Sequence, residues 1–286
     1  MQIIAKNLSY TYSEKSKSLA VKAIKDVSLT INSGEFFGII GKTGSGKSTF
    51  IQHLNGLIRT DANHGELFVG EYNLTDKKCF VRSLRAKVGM VFQYPEYQLF
   101  AETVFEDVNF GLKNFFPNLS KEEREEKIKY AIETVGLNYE EVKDVSPFSL
   151  SGGQKRRVAI AGVIVSKPEI LVLDEPVAGL DPKGKTDFIN LLKKLKKEFV
   201  KTIVIVSHDM NLVAENCDRV AVFSDGLMKK VGTPKEIFSD YDFIDSVGLD
   251  LPLTAYLEKH LNEKGKNVDS NLKIADFIAR IKGVVR

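Results

Sequence analysis

Cysteine is nearly absent from this chain. Its 286 residues hold two, Cys79 and Cys217, far apart and without the paired spacing of a metal site or a disulfide framework. Two reduced thiols are expected, which excludes the disulfide-stapled secreted class. Long apolar runs are missing too. VAIAGVIV (158–165) is among the longest, against the ~18 residues of a membrane helix, and the N-terminal MQIIAKNLSYTYSEK has no signal-peptide core. The chain is expected to be soluble by itself, with no transmembrane segment of its own, so any membrane it serves is reached through another protein. Nor does one sign of charge dominate. Lys and Arg number 41 against 38 Asp and Glu, a net +3 spread along the chain, which supplies no clustered basic face for nucleic acid. The run Lys155-Arg156-Arg157 reads as a solvated helix face.

What is present is an ordinary globular mixture, 43% hydrophobic and 28% charged, enough for one large domain plus an appendix. Short strands open the chain: IIAKNLSYTY, KDVSLTI, EFFGIIG and, after Gly65, GELFVG. FFGII (36–40) is apolar without alternation, as in a strand covered on both faces, and helical spacing follows from Ser48 to about Leu57. Residues 95–165 turn helical: Ser120 and Glu123 form a capping box, and a second helix is expected from Ser151 to about Ser166. EILVLDE (169–175) and TIVIVSH (202–208) then read as buried strands flanking an amphipathic helix at 183–199. A hairpin turns at Asp225-Gly226, and Thr233-Pro234 starts a short helix. Beyond residue 245, Ile274, Phe277, Ile278 and Ile281 form the stripe of an amphipathic helix.

GKTGSGKS (41–48) fits the phosphate-binding pattern G-x4-G-K-[ST], between a buried strand and a helix. Gly41, Gly44 and Gly46 let backbone N–H groups close on phosphates, at a helix N-terminus that favours anions. Lys47 is expected on the β- and γ-phosphates of ATP and the Ser48 hydroxyl on Mg²⁺. Lys42, Thr43, Ser45 and Thr49 complete the loop. LVLDE (171–175) ends a strand in two adjacent carboxylates, which is costly unless they have work. Asp174 is assigned to Mg²⁺ and Glu175 to the attacking water as general base. A pair of acids after a strand often only caps the next helix; beside a phosphate loop the catalytic reading is preferred.

LSGGQ (150–154), lying between the phosphate loop and LVLDEP, resembles the signature of ATP-binding-cassette (ABC) ATPases. The resemblance implies an α/β P-loop NTPase of ABC type: a RecA-like core with an antiparallel β subdomain and a helical subdomain at about 95–165. The ABC domain would span residues 1–245, with a C-terminal helical extension over 246–286. It implies that Ser151 and Gly153 bind the γ-phosphate of ATP held by a partner subunit. Gln93 takes the place of the Q-loop glutamine, sensing Mg²⁺ and water and coupling to the membrane subunit. Asp181 in AGLDP matches the aspartate that contacts the other monomer, and His208 in VIVSHD the switch histidine. Tyr12 matches the aromatic that stacks on adenine, with Tyr10, two residues away on the same strand face, as the alternative. Val177 stands where the family usually has Thr.

QYPEYQLF (93–100), AETVFEDVNFG, LSGGQKRRVAIAG and AGLDPKG resemble, more finely, the ATPases of energy-coupling-factor (ECF) importers of vitamins, cobalt and nickel, the second of their two ATPases in particular. That implies a second ABC ATPase as partner (homo- or heterodimer), a transmembrane coupling protein, a substrate-binding membrane subunit, and a place at the cytoplasmic face of the cell membrane. The helical extension then serves dimerisation, or else packs on its own domain. A conventional ABC importer is the nearest alternative. A soluble ABC protein acting on ribosomes or DNA lacks support, since the chain has neither a second cassette nor a long coiled-coil insertion. A nucleotide binder without turnover is disfavoured by the presence of both Glu175 and His208.

Overall fold

The computed structural model describes residues 1–12, 20–266, 268–269 and 272–284. β1 (Ile3–Tyr12), β2 (Val21–Ile31) and β3 (Phe36–Ile40) precede α1 (Lys47–Leu54), β4 (Glu66–Val69) and β5 (Tyr72–Asn73). Then come α2 (Val81–Lys87), β6 (Val88–Val91), α3 (Val104–Phe115), α4 (Lys121–Thr134), α5 (Tyr139–Val142) and α6 (Gly152–Ile164). The second half alternates β7 (Ile170–Asp174), α7 (Pro182–Glu198), β8 (Thr202–Val206) and α8 (Met210–Asn216). A hairpin of β9 (Arg219–Ser224) and β10 (Leu227–Gly232) follows. Last are α9 (Pro234–Phe238), α10 (Tyr241–Val247), α11 (Leu253–Glu263) and α12 (Ile274–Val284).

Two sheets form. One is antiparallel, in the order β2-β1-β4-β5; the other runs β10-β9-β3-β8-β7-β6 and is parallel apart from its β9–β10 edge. Every residue of β3, β7 and β8 is buried, as strands covered on both faces must be. Their side chains alternate between two cores. Phe36, Ile40, Leu171, Leu173, Ile203 and Ile205 join the core of the helices α3, α4, α6 and α7. Phe37, Ile39, Ile170, Val172, Val204 and Val206 join that of the antiparallel sheet and α1. This is the α/β architecture the sequence pattern implied.

Register fixes where the strands end. Val206 of β8 pairs with Ile39 of β3 on one side and Asp174 of β7 on the other. The loops after all three strands therefore emerge side by side at their carboxyl ends, where open α/β sheets bind ligands.

Some expectations need correction. α1 stops at Leu54 rather than near Leu57, because Asn55 caps it and Gly56 turns the chain with a φ of +67°. The run 155–157 is not a solvated face. Arg156 is 6% exposed, its guanidinium turned inward to donate to the carbonyls of Pro176 and Ala178, while Arg157 remains exposed. Local pattern favours solvent for basic residues, but here two otherwise idle carbonyls draw one of them in.

The C-terminal helices are fastened to α8. Asn211 Oδ1 accepts from the Leu253 N–H at 2.7 Å, and Glu215 Oε1 from the Ile274 N–H at 3.3 Å. Along the expected stripe of α12, Phe277 is buried while Ile274 and Ile278 are exposed. The helix thus packs on its own chain through one residue of the stripe and presents two others.

Candidate nucleotide site

The loop after β3 is shaped for close backbone approach. Gly41 has a φ of +152°, and a Cβ there would lie 2.2 Å from the Phe223 carbonyl; Gly46, at +101°, would meet the Ala23 carbonyl at 2.4 Å. Only glycine fits either position. α1 starts with no side-chain cap, so its first N–H groups stay open to an anion. Lys47 is 6% exposed, and its Nζ spans the loop by donating to the carbonyls of Gly41 (2.6 Å) and Lys42 (2.8 Å). Burial lowers its pKa, with the carboxylates of Glu175 and Asp174 opposing.

The acids enter from β7. Asp174 is 8% exposed at the strand's last position; burial raises its pKa, against the pull of Ser48, Lys47 and His208. Glu175 turns the chain with a φ of +47°. Burial pushes its carboxyl up to about 7, although the His208 N–H, donating to Oε2 at 3.2 Å, and Lys47 oppose the rise. His208 Nε2 stands 3.2 Å from Glu175 Oε1 without hydrogen-bond alignment, leaving that oxygen buried and without a hydrogen-bond partner among the described residues. The His208 pKa is lowered, first by burial and then by Lys47. A half-ionised carboxylate beside a neutral imidazole is a competent proton acceptor at neutral pH.

These groups line one cleft of about 1230 Å³, joined there by Tyr12, Thr43, Gly44, Gly46, Thr49 and Gln93. Tyr12 is 42% exposed, with its hydroxyl 3.3 Å from Thr49 Oγ1. Tyr10 touches it edge to face at 4.9 Å but faces a different cavity, with Arg59, His64 and Lys77. The β1–β2 register shifts on both sides of Tyr10, so simple two-residue alternation fails and the two tyrosines are not equivalent. Gly41, Lys42 and Ser45 of the same loop are not on the cleft's wall.

A family model described as ABC transporter matches residues 24–178, more than half of the chain. The chain belongs to the ABC transporter family. It is 48% identical to the energy-coupling factor transporter ATP-binding protein EcfA2 of Clostridium tetani over 272 residues, covering 95% of this chain and 93% of that one. EcfA2 of Symbiobacterium thermophilum is 46% identical over 286 residues, covering 100% and 97%. Among solved structures, cbiO1 of Clostridium perfringens, described as part of the ABC transporter complex cbiONQ, matches with a TM-score of 0.71 at 36% identity, covering 90% of this chain and 98% of that one. The ATP-binding cassette MJ0796, in a dimeric post-hydrolysis state bound to ADP and Pi, matches at 0.71 and 32% identity, covering 81% and 98%. This is an ABC ATPase of the energy-coupling-factor type.

Three further expected residues, those assigned to the partner subunit, also lie outside the cleft. Ser151 caps α6 in the open: its hydroxyl accepts from the Gln154 N–H and donates to Gln154 Oε1, and Gly153 beside it is exposed. Asp181 caps α7, accepting from the Gly184 N–H at 2.7 Å. Other residues of the cleft wall escaped the sequence reading. Lys185 pairs with Asp209 at 2.7 Å just after His208, and Asp250 and Leu251 reach the rim from the C-terminal extension. An ion pair across 24 residues carries no local signal; the Ser-His-Asp run after a buried strand was the one hint. Val177 is buried among apolar side chains, which accounts for a methyl-bearing residue there without a hydroxyl.

Proposed function

We propose that the chain hydrolyses ATP as one of a pair of ATPases driving an energy-coupling-factor importer from the cytoplasmic face of the membrane. The observation that carries this is the convergence of Lys47, Ser48, Asp174, Glu175 and His208 on one cleft while Ser151 stands outside it. Lys47 and the first turn of α1 hold the β- and γ-phosphates. Tyr12 stacks on the base. Glu175 takes the proton of the attacking water, and His208 and Gln93 orient that water and the γ-phosphate.

Mg²⁺ fits the residues present. Among the described residues no cluster of three or more His, Cys, Asp or Glu forms a metal cage, and Mg²⁺ bound with a nucleotide needs only one or two protein oxygens beside phosphates and waters. Ser48 and Asp174, which line the same cleft, would hold it with help from Gln93. The ion would neutralise charge developing on the phosphates.

Ser151, Gly153 and Asp181 serve the partner ATPase, Ser151 and Gly153 as the far wall of its nucleotide site. No helix among the described residues is long and apolar enough to cross a membrane. Attachment runs instead through a groove of about 710 Å³ beside Gln93, lined by Arg82, Arg85, Phe92, Gln98, Phe100 and Phe110. Phe100 and Phe110 are more than half exposed. Such a groove suits a helix of the membrane coupling protein, which in turn holds a substrate-binding subunit. The test is Glu175→Gln in the purified complex: ATP binding is retained and turnover falls at least ~10²-fold, the usual worth of a general base. Unchanged turnover would remove Glu175 as the base.

A further inference from the structure

Arg156 has no role in the chemistry described so far, yet it is one of the few charged side chains buried outside the cleft. It projects from α6, four residues after the start of that helix. Its Nη1 donates to the Ala178 carbonyl at 3.0 Å and its Nη2 to the Pro176 carbonyl. Those carbonyls belong to the strap between Glu175 and Asp181, so one guanidinium fixes the path of the chain leaving the proposed base. No carboxylate lies within ion-pair distance of it among the described residues.

The third guanidinium nitrogen, Nε, is buried without a hydrogen-bond partner among the described residues, and so is Oε2 of Glu96. Glu96 lies on the single 3-10 turn Pro95–Gln98 that packs against α6, and its charge acts on Arg156. The two charges are opposite, and each group carries one buried idle atom with no bond between them. Closing Glu96 onto Nε would satisfy both at once, as a charge-assisted hydrogen bond. The same turn reaches the strap a second way: a Cβ on Gly179 would sit 3.9 Å from the Tyr94 ring.

We propose that Arg156 is a positioning residue, which transmits the setting of the Gln93–Phe100 segment to the strap that carries Glu175 and Asp181. The inference rests on the ATPase reading above and adds the physical link from the partner groove to the base. Movement of the turn on partner binding makes or breaks the Glu96–Arg156 bond, and Arg156 passes the change to Pro176 and Ala178.

The experiment is steady-state Mg-ATP hydrolysis by the complex purified on a tagged full-length chain, with Glu175→Gln as reference. Arg156→Gln is expected to lower kcat by about 10- to 10²-fold, the range for misplacing a catalytic group from a distance, while KM shifts less than about 2-fold. Arg156→Lys, which keeps one donor near the two carbonyls, recovers part of the loss. Glu96→Gln lowers kcat less, and the double variant Glu96→Gln/Arg156→Gln is no worse than Arg156→Gln alone, because the two act in series. Wild-type kcat in Arg156→Gln, or a double variant whose loss is the product of the single losses, overturns the proposal. So does a fall in melting temperature with kcat intact, which would make Arg156 a structural anchor only. If Arg156→Gln does not fold, the same cycle is run with Arg156→Lys and judged by the same rule. Glu175→Gln keeping full activity would sink the ATPase reading itself, and the two failures are told apart by that arm.

Discussion

The two helix N-termini proposed above to meet phosphate differ in how complete they are. α1 starts inside the cleft with no side chain closing its end, a lysine buried at its first position, and two carboxylates across from it. α6 starts in the open, its end closed by the capping box of Ser151 and Gln154, with nothing within 4 Å of a Cβ built at Gly152 or Gly153. The first has phosphate donors, a metal side and a base within one cavity. The second has donors and no opposite wall. A fold that invests a helix end in this way without completing the site acquires function through another molecule that brings the anion, and this asymmetry is the physical content of the pairing proposed above.

The strongest way to break that comparison is to damage each end separately. Lys47→Ala is expected to weaken ATP binding by the isolated chain at least ~10²-fold, since a buried ammonium on the phosphates is removed and its neighbouring carboxylates are left uncompensated. Gly153→Asp, which sets a carboxylate in the first turn of α6, should leave that binding within about 2-fold yet reduce turnover of the assembled pair at least ~10-fold. Equilibrium binding and phosphate release separate the two. Equal damage to binding by the isolated chain would mean that α6 completes a site within one chain.

The pH profile comes next in size. Glu175 titrates at about 7, so turnover should climb through that pH as the base ionises, and the acid limb should vanish in Glu175→Gln. Stability follows the opposite sign. The pKa is raised from 4.5 to about 7, so the group's contribution is full below 4.5 and lost as pH rises through 7. Without nucleotide, Glu175→Gln should therefore melt higher than the parent at pH 8 and no higher at pH 4. A smaller effect is expected at α12. Ile278 is 48% exposed, and if the extension helps hold the pair, Ile278→Asp shifts light scattering toward monomer while the melting temperature stays put.

Much of this was legible because the relevant signals are local. The phosphate loop, the acids ending β7, the histidine after β8, the Asp225-Gly226 turn and the Ser120 and Thr233 caps each lie within a few residues of sequence. Strand register then gathers the first three at one edge of the sheet, which consecutive buried strands imply. What escaped depends on distance along the chain. Nothing near residues 155–157 tells which basic side chain turns inward, because the carbonyls that attract Arg156 lie 20 and 22 residues away. Asp250 and Leu251 reach the cleft only because α8 anchors the extension through Asn211 and Glu215.

The last prediction tests the one place where alternation left two residues open. Tyr10 and Tyr12 are two residues apart, but register shifts beside Tyr10 leave only Tyr12 on the cleft, within reach of Thr49 on α1. Tyr12→Ala should raise the Kd for ATP about 10-fold, inside the ~1–3 kcal/mol that a base gains by stacking on an aromatic ring. Tyr12→Phe should cost less than about 3-fold, since the face is kept and only the contact with the Thr49 hydroxyl is lost. Tyr10→Leu keeps apolar bulk against His53 and should stay near the parent value. The same titrations with GTP sharpen the point: a stack reads the π-face alone, so Tyr12→Ala should weaken both nucleotides alike. A loss confined to ATP would instead mean that Tyr12 works through its hydroxyl on the adenine edge, and a loss in Tyr10→Leu as large as in Tyr12→Ala would return the aromatic platform to both residues.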